Sequence, residues 1–187
     1  MTKQQALDLL HAHMQSVNLR RHCYAVGAAM KALAKKFGGD GEKWEVVGIL
    51  HDGDYEGTKT NPSQHTLLMH KWLKEAGVSD EDILSAILSH NYAHTGLNAP
   101  KNNLEWALYC CDELTGLIIA VALVRPDKKL ASVTVESIMK KWDQKAFAAG
   151  VKREQIAMCE EKLNIPLNEF IQIALSAMQE IHEQLVL

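Results

Sequence analysis

The chain has 187 residues, enough for one domain with a sizeable buried core, and its composition indicates no second domain. With 20 basic and 23 acidic side chains the formal net charge is -3, so nucleic-acid binding through bulk positive charge has no support. A small anionic substrate is still compatible with this charge, because a bound metal ion can supply positive charge locally.

The cysteines and the apolar runs indicate the cellular setting. None of the four cysteines, Cys23, Cys110, Cys111 and Cys159, forms a C-x-x-C pair, and we predict buried free thiols in a reducing cytoplasm. The first residues lack the profile of a secretory signal. The longest apolar run, Leu117 to Val124, is shorter than a bilayer-spanning helix and predicts a buried segment. We expect a soluble, cytoplasmic protein without a membrane partner.

The hydrophobic pattern predicts an all-α fold. Apolar residues recur at helical spacing along almost the whole chain, and the strict alternation of a half-exposed strand is nearly absent. Gly38-Gly39 is a helix stop, and Ser79, with Asp82 three residues later, resembles a capping box. The predicted helices cover about residues 3–14, 19–37, 41–51, 64–76, 80–90 and 104–123, with shorter helices up to 163 and a final helix from Pro166 to about 184.

Two polar segments interrupt these helices and are predicted as loops. The first runs from Gly53 to Ser63, and the second runs from Asn91 to Asn103; both contain glycine, asparagine and proline. We detect no internal repeat. The chain is therefore predicted to form a single domain over residues 1–187.

Four side chains next to apolar helical turns form the most informative pattern. His22 lies on the same helical face as apolar residues four, seven and eleven positions later, so it is predicted to face the core. Asp112 lies on a similar apolar face, where a carboxylate is costly unless it is paired or binds a metal. The adjacent pair His51-Asp52 ends an apolar helical run, and two residues at a helix end can converge on one ion.

The small residues around the His-Asp pair support this interpretation. Gly53 lets the backbone turn directly after Asp52, and Gly48, one turn earlier, allows a neighbouring helix to approach closely. Two imidazoles and two carboxylates suit a divalent ion such as Mn, Fe, Mg, Co, Ni or Zn. Such an ion can activate water, so hydrolysis is the leading hypothesis.

The ordered pattern of His22, His51-Asp52 and Asp112 resembles the HD-domain superfamily of metal-dependent phosphohydrolases. The resemblance covers residues 19–123. It implies an HD-type all-α bundle over this core, and residues 124–187 are then a C-terminal helical extension that packs on it. It also implies that the four side chains hold a catalytic metal ion.

Some relatives in that superfamily hold two ions and insert two more histidines between the doublet and the last aspartate. His65 and His90 occupy comparable places here. The resemblance then implies that Asp52 bridges the two ions and that His65 and His90 complete the second position. His70 and His94 are the alternatives for these two roles, and His94 could instead contact substrate from its loop.

Basic residues near the predicted ligands are candidates for binding substrate. Arg20 and Arg21 directly precede His22, and a guanidinium next to a metal ligand can clamp a phosphate. Lys59 and Lys101 lie in the two predicted loops. A solvated helix face is the alternative explanation for the arginines.

Acidic and hydroxyl residues near the ligands are candidates for proton transfer and support. Asp54 and Glu56 follow the doublet and could orient water or protonate a leaving group. Certain single-metal nucleotidases of the superfamily carry a glutamate three residues after the doublet aspartate, where this chain has Tyr55. Thr115 and Glu113, next to Asp112, are candidates for hydrogen bonds to the ligating imidazoles.

The sequence therefore predicts a metal-dependent phosphohydrolase that acts on a nucleotide or another small phosphate ester through metal-activated water. One alternative is a non-catalytic ligand-binding or regulatory HD module. A second is a di-iron oxygenase of the same superfamily. The region from Arg125 to Leu187 shows no chemical constellation, and its stripe of Ile171, Leu175 and Met178 is expected to cover the core or to form a homodimer surface.

Overall fold

The computed structural model describes residues 1–187, which form an all-helical single domain without strands. Two short 3-10 helices, Pro62–Gln64 and Leu130–Ser132, lie among the α-helices. In chain order the α-helices are α1 (Lys3–His13), α2 (Val17–Phe37), α3 (Gly41–Leu50), α4 (Tyr55–Thr58), α5 (Leu67–Glu75), α6 (Glu81–His90), α7 (Tyr92–Thr95), α8 (Asn103–Leu123), α9 (Val135–Trp142), α10 (Arg153–Leu163), α11 (Leu167–Glu180) and α12 (His182–Leu185).

Two 21-residue helices, α2 and α8, form the centre of the bundle. Helix α2 packs against α3, α8 and α11, and α8 packs against α2, α6 and α10. Helix α8 is long and apolar enough to cross a membrane. However, 61% of its most apolar stretch is buried inside the fold, which is typical of a core helix. The two central helices carry His22 and Asp112, so the core packing brings these two residues together.

Local signals begin and end the two central helices, and the predicted stop at Gly38 is confirmed. The Ser16 side chain accepts a hydrogen bond from the Leu19 N–H at the start of α2, and Gly38 ends that helix in the left-handed conformation at φ 64°. Asn102 caps α8 by accepting from the Glu105 N–H. Each cap satisfies backbone groups that a helix end leaves unpaired.

Helices α2 and α3 approach closely because two glycines face each other. A Cβ at Gly48 would lie 2.7 Å from the Gly27 Cα, and one at Gly27 would lie 2.9 Å from the Ile49 side chain. Real Cβ atoms do not come this close to backbone, so the crossing requires glycine. The expectation from Gly48 is confirmed, and the contact brings His22 on α2 next to His51 after α3.

Several predicted boundaries were wrong. Asp80, not Ser79, caps α6, since its side chain accepts from the Asp82 N–H. Both predicted loops contain a short helix, α4 in the first and α7 in the second. The final helix is broken at Ile181, where α11 ends and α12 begins. The helices α4, α7 and α12 are only one turn long, which is too short to show helical periodicity in the sequence.

The helices after residue 124 cover the bundle. Ile171, Leu175 and Met178 on α11 are buried, and α11 packs against α2 and α8. Of the two expectations for this stripe, covering the core is confirmed. The four cysteines are free and buried, as expected.

Candidate metal centre

Six side chains from five parts of the fold converge on one point. His22 comes from the second turn of α2, Asp112 from the middle of α8, and His90 is the last residue of α6. His51 and Asp52 directly follow α3. His65 lies between the 3-10 helix Pro62–Gln64 and α5. The residues predicted as metal ligands are therefore brought together.

The first group of donors consists of His22, His51 and Asp112. The Nε2 atom of His22 lies 3.2 Å from the Nε2 of His51 and 2.9 Å from Asp112 Oδ1. The Nε2 of His51 lies 3.4 Å from the same oxygen. These three residues are close enough together to hold a metal ion.

The second group of donors consists of His65 and His90, with Asp52 between the two groups. Asp52 Oδ1 lies 3.3 Å from His65 Nε2 and 3.2 Å from His90 Nε2. Its other oxygen, Oδ2, lies 3.7 Å from the Nε2 atoms of both His22 and His51. His51, Asp52 and His90 also form a set able to hold an ion.

The donor spacing fits metal coordination. An ion with bonds of about 2.1 Å places neighbouring ligand atoms about 3.0–3.4 Å apart in octahedral or tetrahedral geometry. The contacts within each group lie in or close to this range, and all four imidazoles present Nε2 to the common point. The residues present therefore fit a divalent ion.

Neighbouring groups fix three of the four imidazole rings. His51 Nδ1 donates to the Gly48 carbonyl at 2.7 Å, and His65 Nδ1 lies 2.8 Å from Asp54 Oδ1. Thr115 Oγ1 is 3.4 Å from His22 Nδ1, as expected for a supporting residue. A proton held on Nδ1 leaves the lone pair of Nε2 free for an ion.

The fourth ring, that of His90, lacks such support: its Nδ1 is buried and has no hydrogen-bond partner. Burial lowers the pKa of His90 below its usual value, although the hydrogen bond to Asp52 opposes this effect. A neutral imidazole is the form that binds a metal ion.

The buried carboxylates and imidazoles shift one another's charge states. Burial alone would raise the pKa of Asp112, but hydrogen bonds from His22 and His51 outweigh it and hold the pKa well below its usual range. Burial alone would lower the pKa of His22, but Asp112 and Asp52 raise it to about 9. Burial alone would also lower the pKa of His65, but Asp52 and Asp54 raise it to about 9. Without an ion, protons supply the positive charge that these carboxylates need.

The two residues predicted to act as acid or base, Asp54 and Glu56, are both engaged in other hydrogen bonds. Asp54 is fully buried, and its second oxygen accepts from the Met69 N–H at 2.9 Å, so both of its oxygens are engaged. Glu56 accepts from the backbone N–H groups of Gln15 and Ser16 between α1 and α2. Asp54 thus orients a ligand, and Glu56 fastens the α1–α2 connection.

The predicted arginine clamp is absent from this site. The Arg20 guanidinium donates hydrogen bonds to the carbonyls of His11 and Met14, at the end of α1. Arg21 is half-buried and does not line the cavity over the donors. Because Arg20 is committed to backbone carbonyls, it is not free to bind a phosphate.

An open cavity of about 330 Å³ lies over the donors. A side chamber of about 240 Å³ adjoins it and shares Tyr55, His65 and His94 with it. Lys59 lies in the wall of the side chamber, whereas Lys101 and His70 line neither space. His94, one of the two alternative ligands, therefore lies in the cavity wall.

The cavity wall also contains residues that the sequence did not single out. Gly150, Lys152 and Gln155 come from the connection between α9 and α10 and from the start of α10. Glu113 lines the cavity and accepts from the Lys152 N–H at 3.0 Å. The only signal in the sequence is a lysine that follows a glycine ahead of a helix, which is too common to indicate a site.

Comparison with known proteins gives a match to a family model. No curated protein and no solved structure matched the chain. The model of the HD domain matches residues 19–146, which include all six donors. It extends beyond the core expected from sequence, which ended at residue 123. The chain belongs to the HD domain family.

Proposed function

We propose that the protein is a metal-dependent phosphohydrolase that acts on a nucleotide or another small phosphate ester. The observation that carries the proposal is Asp52, whose two oxygens face two groups of imidazole donors at the floor of an open cavity. Membership of the HD domain family, which consists mostly of metal-dependent phosphohydrolases, supports it.

The donor set supports a site for two ions. His22, His51 and Asp112 would hold one ion, His65 and His90 would hold the other, and Asp52 lies close enough to both groups to serve each of them. Four imidazoles among six donors favour a transition metal such as Zn, Fe, Co, Ni or Mn over Mg. Bound there, divalent ions supply a Lewis acid to the phosphoryl oxygens and lower the pKa of water.

The protein's own residues would orient and shield the reacting groups. Asp54 and Gly48 hold His65 and His51 with their Nε2 atoms facing the other donors. The ring of Tyr55 is 40% exposed and borders both the cavity and its side chamber. It therefore offers an aromatic surface to the organic part of a substrate.

The size of the space favours a small substrate. The cavity of about 330 Å³ lies at the lower end of the range for small-molecule sites, about 300–1,000 Å³. The adjoining side chamber adds about 240 Å³. The cavity wall contains no stripe of basic residues of the kind that follows a nucleic-acid backbone. A nucleotide or a sugar phosphate fits this space better than a polymer does.

The test is hydrolysis of a panel of nucleotides, sugar phosphates and p-nitrophenyl phosphate after loading with each candidate metal. We expect metal-dependent release of phosphate and its loss in Asp52→Ala, with helical content unchanged by circular dichroism. Asp8→Asn, on the exposed face of α1, is the control and should keep full activity. Undiminished turnover in Asp52→Ala, or binding without hydrolysis across the panel, would contradict the proposal.

A further inference from the structure

The strongest feature that this function leaves unused is Lys152, in the wall of the metal cavity. Its Nζ lies 3.1 Å from His94 Nε2, although the two residues are 58 positions apart in the chain. Both line the cavity together with the metal donors. Lys152 is the only lysine or arginine among the lining residues.

The backbone around Lys152 is held against the helix that carries Asp112. The Lys152 N–H donates to the Glu113 carboxylate at 3.0 Å, and Glu113 is the residue after Asp112. Three residues later, Gln155 Nε2 donates to the Tyr109 carbonyl at 2.7 Å. The ammonium group is thus carried by a segment anchored on α8.

A second observation points to a ligand at this wall. Gln155 is 5% exposed and lines the cavity, and its Oε1 atom is buried without a hydrogen-bond partner. Buried acceptors are rarely unpaired, so an unpaired one in a cavity wall indicates that water or a ligand hydroxyl completes it. The wall therefore combines a cation, an imidazole and an unpaired acceptor.

We propose that Lys152, with His94 beside it, binds an unesterified oxygen of the substrate phosphate and thereby makes the enzyme prefer phosphomonoesters to diesters. The inference rests on the proposed function and names its substrate class. A phosphate between the donor groups and this wall meets positive charge on two sides. With an ion at each donor group, a monoester could turn one unesterified oxygen to each ion and the third to Lys152. A diester has only two unesterified oxygens and would have to turn an esterified oxygen to one of these three positive groups.

The experiment compares the metal-loaded full chain with its Lys152→Met variant. The substrates are p-nitrophenyl phosphate and bis(p-nitrophenyl) phosphate, and the binding of inorganic phosphate is measured separately by calorimetry. We expect the variant to bind phosphate about 10–100-fold more weakly, as for a lost charge-assisted hydrogen bond. KM for the monoester should rise by a similar factor, and diester turnover should not fall.

Lys145→Met is the matched control, because Lys145 is exposed in the same connection and does not line the cavity. It should leave every value unchanged, and Lys152→Arg should restore part of the phosphate affinity. Unchanged phosphate affinity in both Lys152→Met and Lys152→Gln would overturn the inference. If the unmodified protein hydrolyses neither ester, the proposed function fails, while the phosphate measurement still decides whether Lys152 binds the anion.

Discussion

The two donor groups of the metal centre are built differently. In the first group, His22 and Asp112 lie within the two longest helices, and His51 directly follows α3. In the second group, His65 lies between two short helical segments and His90 is the last residue of α6. Donors inside a long packed helix are held by core packing, whereas donors at helix junctions depend on a few local hydrogen bonds.

This difference predicts unequal ion binding. In the first group, the close contact between Gly27 on α2 and Gly48 on α3 fixes the distance between His22 and His51, because it leaves the two backbones little freedom to move. The second group depends on Asp54, which holds His65, and its His90 Nδ1 has no partner at all. We therefore expect the first group to bind its ion more tightly than the second.

The largest expected effect comes from two separate variants, each of which removes one histidine from one donor group. His22→Ala should lose the ion of the first group and about 10³-fold in turnover, since a bound ion contributes several kcal/mol to the transition state. His65→Ala should keep about one ion per chain and lose less activity. Elemental analysis of metal per chain, with turnover measured on the same samples, makes the comparison. Equal metal loss in both variants would remove the distinction between the groups.

The next effect concerns the helix contact that supports the first group. Gly48→Ala places a Cβ 2.7 Å from the Gly27 Cα, so α2 and α3 must move apart. We expect a loss of about 1–3 kcal/mol in the free energy of unfolding, as for overpacking of a core. Weaker binding of the first ion should accompany it, because His22 and His51 separate.

Gly41→Ala in the same helix is the control for that variant. A Cβ at Gly41 meets the Lys31 side chain at 3.6 Å, which is ordinary contact, and alanine favours the helix. Urea unfolding should show unchanged or slightly higher stability for Gly41→Ala. If both variants unfold at the same urea concentration, close packing of α2 on α3 is not what stabilises the crossing.

A smaller, local effect is expected in the second group from Asp54→Asn. One amide oxygen can still accept from the Met69 N–H, but the amide nitrogen then faces His65 Nδ1. His65 must accept there, which moves its proton to Nε2 and blocks the metal-binding lone pair. We expect about 10–100-fold weaker binding of the second ion, with the first unaffected.

Thr115→Val is the matched change in the first group, where the hydroxyl lies 3.4 Å from His22 Nδ1. That contact is long for a hydrogen bond, so its loss should change metal affinity by only a few-fold. Metal titrations of both variants measure the two effects. A larger effect for Thr115→Val than for Asp54→Asn would reverse the predicted order of support.

The same contrast explains how much of the site could be predicted from sequence. His22 and Asp112 were found because each lies on an apolar helical face, and this periodicity is a local property of the chain. The long helices were predicted within a few residues for the same reason. The one-turn helices α4 and α7 carry no periodic signal, so their segments were predicted as loops.

The missed residues depend on contacts between distant parts of the chain. Lys152 reaches the cavity through a hydrogen bond to Glu113, 39 residues away. Arg20 was expected to bind substrate, but from the first turn of α2 it binds backbone carbonyls at the end of α1 instead. Asp54 was expected to orient water or to protonate a leaving group, and the turn after α3 directs it towards His65 instead. Tertiary packing, which no local pattern specifies, decides each of these roles.

The smallest expected effect concerns stability alone, on the side of α3 away from the donors. The Glu45 side chain on α3 is 7% exposed, and its carboxylate lies 2.6 Å from Lys3 Nζ on α1 and 2.7 Å from Lys31 Nζ on α2. These two ion pairs join the three helices. Burial alone would raise the pKa of Glu45, but the two lysines outweigh it and lower the pKa below its usual value.

A lowered folded-state pKa means that the ionised carboxylate stabilises the fold above its unfolded pKa, near 4.5, and that this contribution is lost as pH falls through the folded value. Glu45→Gln should therefore reduce the free energy of unfolding by about 1 kcal/mol at pH 7, because both lysines are half-exposed and solvent screens the pairs. The difference from the unmodified protein should shrink towards pH 3, and Glu42→Gln, at the exposed start of the same helix, is the control. A difference that stays constant from pH 7 to pH 3 would show that the glutamine variant loses packing rather than charge. Metal content should not change, because Glu45 is not among the donors or the cavity wall.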